Sequence, residues 1–240
     1  MTLENKQVVI LGGTSGIGQA VARDVARAGG VPLVVSHDPQ NVRATLAQLP
    51  PNAQGHVADL RSADQIRDLF TRIGPFDHLV YTAGETLLCG TLSDLTLDSA
   101  RDFFEIRYWG ALAAAKFAAS AIRPGGSIVL TSGIAGARPP QQGWTLGASI
   151  CAAMEGLTRA LAVELAPLRV NIVSPGFVRT PLWRDMPDPQ RQAIYQAAAQ
   201  ALPVGRIGEA ADLAKAYLFL MEQGFSTGQV LVVDGGGMLV

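Results

Sequence analysis

Short runs of aliphatic and β-branched residues alternate with longer amphipathic stretches from one end of the chain to the other. QVVIL (7–11), VPLVVS (31–36), QGHV (54–57), DHLVY (77–81), SIVLT (127–131), VNIVS (170–174) and QVLVV (229–233) are predicted as strands. Several are apolar throughout rather than alternating, the pattern of parallel strands covered on both faces. Between them, 17–28, 41–49, 63–73, 100–122, 148–165 and 210–221 are predicted as helices. This βαβ series implies right-handed crossovers and an α/β fold: a Rossmann-like, doubly wound parallel sheet of about seven strands with helices on both faces. Residues 181–206 interrupt the alternation with prolines and polar residues, between a strand and the helix that follows it. Such an insertion, on the carboxyl side of the sheet, is the expected substrate lid. No repeat, low-complexity tract or linker divides 1–240, so a single domain is expected.

Composition narrows the partners. The chain has 240 residues, 48% hydrophobic and 16% charged, with a net charge of -1. That is enough apolar material for one large core, with no basic excess for nucleic acid and no acidic excess for disorder. Cys89 and Cys151 have neither metal-ligand spacing nor the number for a disulfide framework, so no metal and a reducing compartment are expected. The polar start MTLENKQ is no secretory signal, and no run of ~18 apolar residues stands out as a membrane span. The expected location is cytoplasmic, with no membrane partner.

The first strand runs into LGGTSGIGQAVA (11–22). Glycines at 12, 16 and 18 permit a tight turn, close approach of backbone to a pyrophosphate, and close packing of helix on strand. The helix amino terminus offers free N–H groups and its positive dipole end. Gly12, Thr14, Ser15, Gly16, Ile17 and Gly18 are therefore expected to cradle the phosphates of a dinucleotide. At the end of strand two, Ser36 and His37, with Arg43 further on, would tolerate a 2′-phosphate. Asp38-Pro39 reads either as the acid that binds an NAD ribose or as a helix cap with proline in the first turn; the cap is preferred. NADP(H) is accordingly favoured over NAD(H).

These features together resemble the short-chain dehydrogenase/reductase family over nearly the whole chain. The matching segments are GGTSGIG (12–18), Asp59-Leu60, TAG (82–84), EGLTRALAVELA (155–166), RVNIVSPGFVRTPL (169–182), GRIGE (205–209) and TGQVLVVDGG (227–236). The resemblance implies that Asp59 and Leu60 meet the adenine and that Ala83 and Gly84 line the ribose. It also implies that Pro175, Gly176, Val178 and Thr180 hold the nicotinamide and adjacent phosphate. Without any ligand, Ser62 and Gln65 would make a capping box beside Asp59, and Thr180 would cap a helix ahead of Pro181.

Members of that family reduce carbonyls with an Asn, a Ser, a Tyr and a Lys. The tyrosine protonates the developing alkoxide, which is otherwise a strongly basic oxygen. This chain departs at every one of the four. Counted back from EGLTRALA without a gap, the Lys falls on Cys151 and the Tyr on Gly147; anchored on GAS with one inserted residue, they fall on Ile150 and Leu146. The Ser falls on Gly133, with Ser132 beside it, and the Asn on Arg107 in EIRYWG.

Substitutes are few. Tyr81 is expected in the core, Tyr108 and Trp109 in the core or an interface, and Tyr195 on an exposed helix position of the lid. Cys151 as a nucleophile lacks a paired base, because the histidines stand at 37, 56 and 78. Three weak candidates for a catalytic role remain: Arg107, Ser132 and Glu85. Arg107 cannot donate a proton but can hold a carboxylate or an enolate; alternatively it pairs with Glu105 or Glu85. Glu85 otherwise reads as a surface carboxylate.

Three readings follow: a nicotinamide-dependent oxidoreductase acting on an enone, quinone or imine; a non-catalytic NAD(P)-binding sensor or partner subunit; and a redox-neutral isomerase or lyase. Leu87, Trp144, Leu182, Trp183 and Met186 point to an apolar or aromatic small-molecule substrate. The small residues on helix 148–166, and the resemblance itself, imply a homodimer or homotetramer.

Overall fold

A computed structural model describes residues 3–140 and 142–240; Met1 and Thr2 of the polar start lie outside them. The main strands are β1 (Gln7–Leu11), β2 (Val31–Ser36), β3 (Gln54–Val57), β4 (Phe76–Tyr81), β5 (Ile122–Thr131) and β6 (Arg169–Pro175). A two-residue pair, β7 (Val178–Arg179) and β8 (Gly208–Glu209), precedes the last strand, β9 (Val230–Val233). The seven-stranded sheet is ordered β3-β2-β1-β4-β5-β6-β9, parallel throughout, while β7 and β8 pair separately. The order reverses between β1 and β4, where open α/β sheets hold their ligands beyond the strand ends.

Each central strand feeds two cores because successive side chains face opposite ways. Val9 and Leu11 of β1 join one buried cluster with Leu79, Ile128 and Ile172. Val8 and Ile10 join the other, with Val80, Val129 and Val173. The first cluster is closed by helices α3 (Ala63–Ile73), α5 (Ala111–Ala118) and α6 (Thr145–Glu164), the second by α1 (Gly16–Arg27) and α8 (Ala210–Glu222). The remaining helices are α2 (Pro39–Leu46), α4 (Leu97–Phe104) and α7 (Asp188–Ala201). Asp38 is the cap of α2, its carboxylate accepting the Gln40 N–H at 2.7 Å, with Pro39 in the first turn.

The helix expected over 100–122 is interrupted. α4 and α5 flank a π-helical turn, Glu105–Gly110, and residues from Ile122 onward belong to β5. The cause lies outside the helix. The Tyr81 hydroxyl, buried at the end of β4, donates to the Ile106 carbonyl at 2.5 Å, and the Ile106 N–H donates to Glu85 Oε1 at 2.6 Å. Groups inserted into the ladder of helical hydrogen bonds open a wider turn. Gly110 permits it, since a Cβ there would lie 2.5 Å from the Tyr81 hydroxyl. Helix α7 gives Tyr195 the helical position expected in the lid, but not the expected exposure. Tyr195 is buried at 4% exposure, edge-on to Trp183, because this short helix folds its aromatic face back onto the lid.

Helix α6 bears on the expectation that the chain has no membrane span. It is long and apolar enough to cross a membrane by length and composition, with a mean hydropathy of 1.3 over 18 residues. However, it carries Glu155 and Arg159 and lays Ile150, Met154 and Leu161 on the core, as a core helix does.

Replacing Tyr81 with Phe leaves the Ile106 carbonyl without its donor. We expect a loss of roughly 1–3 kcal/mol in urea unfolding; a change below about 0.5 kcal/mol would show that the π turn holds itself.

Candidate active site

At the carboxyl ends of β1, β4, β5 and β6 lies a cavity of ≈ 620 Å³. Its phosphate end is built by the turn after β1. Gly12 has φ +84, and a Cβ there would stand 2.7 Å from the Ala83 nitrogen. Gly18 does not line the cavity; a Cβ on it would meet the Gly12 carbonyl oxygen at 2.3 Å, so it lets α1 lie against the turn. Ser15, the residue before α1, makes no side-chain cap, and no acid stands in the helix's first turn. The amino-terminal N–H groups of α1 are thus left for a ligand, and Thr14, Ser15, Gly16 and Ile17 line the cavity beside them. This cradle fits a pyrophosphate.

The other residues expected around a dinucleotide lie on the same cavity wall: Ser36 and His37 after β2, Asp59 and Leu60 after β3, Ala83 and Gly84 after β4. Pro175, Gly176, Val178 and Thr180 line it from the end of β6 onward. Asp59 is held by its own loop: its carboxylate accepts the Arg61 N–H at 3.0 Å, and its N–H donates to Gln65 Oε1 at 2.9 Å. Ser62 Oγ accepts the Gln65 N–H at 3.3 Å, but the Ser62 N–H goes to the Asp59 carbonyl and not to Gln65, so only half of the expected capping box forms. Thr180 precedes the short helix Pro181–Trp183 but makes no side-chain cap. Arg43 is exposed and away from the cavity, whereas Arg61, which the sequence reading passed over, lines it. The signal was available, since Arg61 directly follows Asp59-Leu60.

At the opposite end of the cavity, Arg107, Gly133, Gly147 and Cys151 converge, so the ungapped register brings all four positions to one place. Of the gapped alternative, Ile150 reaches the cavity and Leu146 does not. Gly133 and Cys151 face each other; a Cβ on Gly133 would lie 3.2 Å from the sulfur. Burial pushes the Cys151 thiol up to about 11, despite the nearby Arg107 guanidinium. Ser132 lines the cavity, its hydroxyl donating to Glu155 Oε1 at 3.3 Å.

Glu85 is not the surface carboxylate expected. Its side chain is 12% exposed, because Oε1 is drawn inward by the Ile106 N–H. Burial raises its pKa, against the pull of that N–H and of Arg107. Arg107 donates from Nη2 to the Glu85 backbone carbonyl, and its Nε stands 3.7 Å from Glu85 Oε2, too far for a hydrogen bond. Both facing atoms are buried without a hydrogen-bond partner. The guanidinium lies flat on Gly84, where a Cβ would touch Cζ at 2.6 Å, and 5.5 Å from the Phe103 ring centre.

An aromatic cluster closes the cavity from the lid side. Trp183 is fixed by its indole N–H to the Val178 carbonyl at 3.0 Å, stacks on Phe177 at 5.7 Å and meets Trp144 at 6.3 Å. Arg179 sits 4.5 Å over the Tyr195 ring and pairs with Glu209 at 3.1 Å. Leu87 and Leu182 line the cavity, while Met186 packs behind them in the same cluster.

Known proteins share this arrangement of elements. A family model described as enoyl-(acyl carrier protein) reductase matches residues 12–237. The short-chain dehydrogenase/reductase malC of Malbranchea aurantiaca is 33% identical over 254 residues, covering 99% of this chain and 96% of that protein. The 3-oxoacyl-[acyl-carrier-protein] reductase of Mus musculus is 30% identical over 242 residues, covering 97% and 98%. Among solved structures, a small-chain dehydrogenase in complex with NADPH is 38% identical with a TM-score of 0.87, covering 99% of this chain and 100% of that one. MalC Reductase/Diels-Alderase from Malbranchea aurantiaca superposes with a TM-score of 0.91 at 32% identity, covering 99% and 98%.

Since the thiolate is the reactive form, a thiol near 11 is less than about a thousandth ionised at pH 7.5. Iodoacetamide at that pH should label exposed Cys89 well before Cys151, as read by peptide mass spectrometry. Equal labelling would mean that the cavity ionises the Cys151 thiol.

Proposed function

The chain belongs to the short-chain dehydrogenase/reductase family of oxidoreductases, and from that premise we propose that it uses NADP(H) to reduce conjugated or pre-polarised apolar acceptors: enones, quinones or imines. The observation that carries this reading is the wall formed by Arg107, Gly133, Gly147 and Cys151, which among the described residues carries no tyrosine or lysine, so the proton-donating pair on which plain carbonyl reduction relies has no counterpart there. A bound nicotinamide supplies hydride. The protein's part is then to bind and orient the acceptor, exclude water and tolerate a product that needs no immediate proton. An iminium becomes a neutral amine on taking hydride, and an enone or quinone gives a delocalised anion that solvent protonates. The family model's own description, an enoyl reductase, is of hydride addition to a conjugated double bond.

His37 and Arg61 at the adenosine end support the preference for a 2′-phosphate, as does the NADPH complex of the 38%-identical dehydrogenase. Trp144, Trp183, Leu87 and Leu182 support an aromatic or polycyclic substrate. The pairing of reductase with Diels-Alderase in the MalC description favours a second reading, in which the same aromatic cavity also guides a redox-neutral ring closure. A homo-oligomer is proposed because the outer side of α6 leaves Val163 81% exposed, and Trp109 on the neighbouring π turn is 53% exposed. Light scattering should then give at least twice the 25.2 kDa of one chain.

Fluorescence titration should show micromolar or tighter binding of NADPH and at least about tenfold weaker binding of NADH, a difference of ~1.4 kcal/mol. His37→Asp should narrow or reverse that preference by repelling the 2′-phosphate. With NADPH bound, conjugated ketones, quinones or imines should be reduced and plain secondary alcohols should not be oxidised. Binding without turnover of any acceptor would favour a sensor; rapid turnover of secondary alcohols would refute the altered site.

A further inference from the structure

Resting on the reading of the cavity as a reductase site, we propose that Arg107 is its oxyanion-binding group, so that the acceptor is an enone or a quinone and not an imine cation. When hydride adds to the far carbon of an enone, the displaced electron pair ends on the carbonyl oxygen. The resulting enolate takes its proton at carbon from solvent. A quinone takes hydride and a solvent proton to give a hydroquinone. In both, negative charge gathers on an oxygen, which a fixed cation stabilises. An iminium carries the opposite charge and would be repelled.

The geometry supports this division. Arg107 is held on three sides: by the Glu85 carbonyl at Nη2, by the Phe103 ring, and by the backbone of Gly84, which has no side chain to push it away. Nη2 to the Glu85 carbonyl is the one hydrogen bond of its guanidinium among the described residues, its Nε is buried without a partner, and the side chain lines the cavity together with Cys151. Such a preorganised donor loses little on binding a ligand oxygen. The charged and titratable groups around it are Glu85, Tyr81, Cys151 and, beyond Glu85, Arg61. Glu85 is the carboxylate paired with Arg107, at 3.7 Å and without a hydrogen bond between the facing atoms, so the guanidinium's donors are not taken up by that carboxylate. Of the other guanidinium groups of the cavity, that of Arg138 donates to the Gly237 carbonyl at 2.8 Å.

The test uses 4-nitrophenol, whose phenolate mimics an enolate and absorbs visibly. It is titrated against pH in the presence of the full-length protein, with and without NADP+. Bound to the wild type, the phenol should show an apparent pKa lowered by about one unit or more from its value in free solution. Arg107→Lys should keep part of that shift, and Arg107→Gln and Arg107→Met should abolish it. No binding of 4-nitrophenol, no shift in the wild type, or a shift unchanged in Arg107→Gln would each overturn the proposal. The wild-type measurement stands even if a variant fails to fold. Because it reads a bound ligand's ionisation, it fails or succeeds independently of whether any acceptor is turned over.

Discussion

The peptide group of Ile106 is held from outside its own helix, and the shape of the candidate active site depends on it. Tyr81 takes its carbonyl and Glu85 its N–H, so neither is free for the regular ladder. The helix widens into a π turn at Glu105–Gly110, within which Arg107 is turned toward the cavity. One buried tyrosine at the end of a central strand thereby links the sheet to the placement of a guanidinium. The same carboxylate that draws the N–H also faces Arg107, so Glu85 shapes the backbone and sets the local charge together.

The two ends of the cavity answer to different demands. At the phosphate end, small residues and free helix N–H groups do the binding, and the constraint is steric. Gly12 and Gly18 sit where any Cβ would collide with backbone. At the other end, small residues at Gly133 and Gly147 stand beside the Arg107 guanidinium. Aromatic side chains from the lid close it, with Trp183 anchored by its indole N–H. A cavity of this kind suits a flat apolar molecule with one oxygen to hold.

Much of this was legible in the sequence. The apolar runs marked the seven strands of the main sheet closely, because parallel strands buried on both faces leave no other pattern. GGTSGIG marked the turn before α1, and the residues expected around a dinucleotide line the cavity except Gly18, which packs beneath it, and Arg43, which is exposed away from it. Geometry resolves the ambiguity at Asp38, which caps α2. What stayed hidden depends on contacts between distant segments. The π turn needs Tyr81 and Glu85, more than twenty residues away in sequence, and nothing within EIRYWG announces it. Glu85 and Tyr195 were read as exposed because local pattern carries no information about a peptide N–H or a lid aromatic arriving from elsewhere.

The most direct measurement follows the hydride itself. The protein would be incubated with NADPH carrying deuterium at nicotinamide C4, on one face at a time, and a conjugated cyclic ketone, and the product examined by NMR. The account predicts that one labelled form alone delivers deuterium to the carbon β to the carbonyl. A reduced product without deuterium from either form, or unlabelled ketone with NADPH bound but unconsumed, would contradict it.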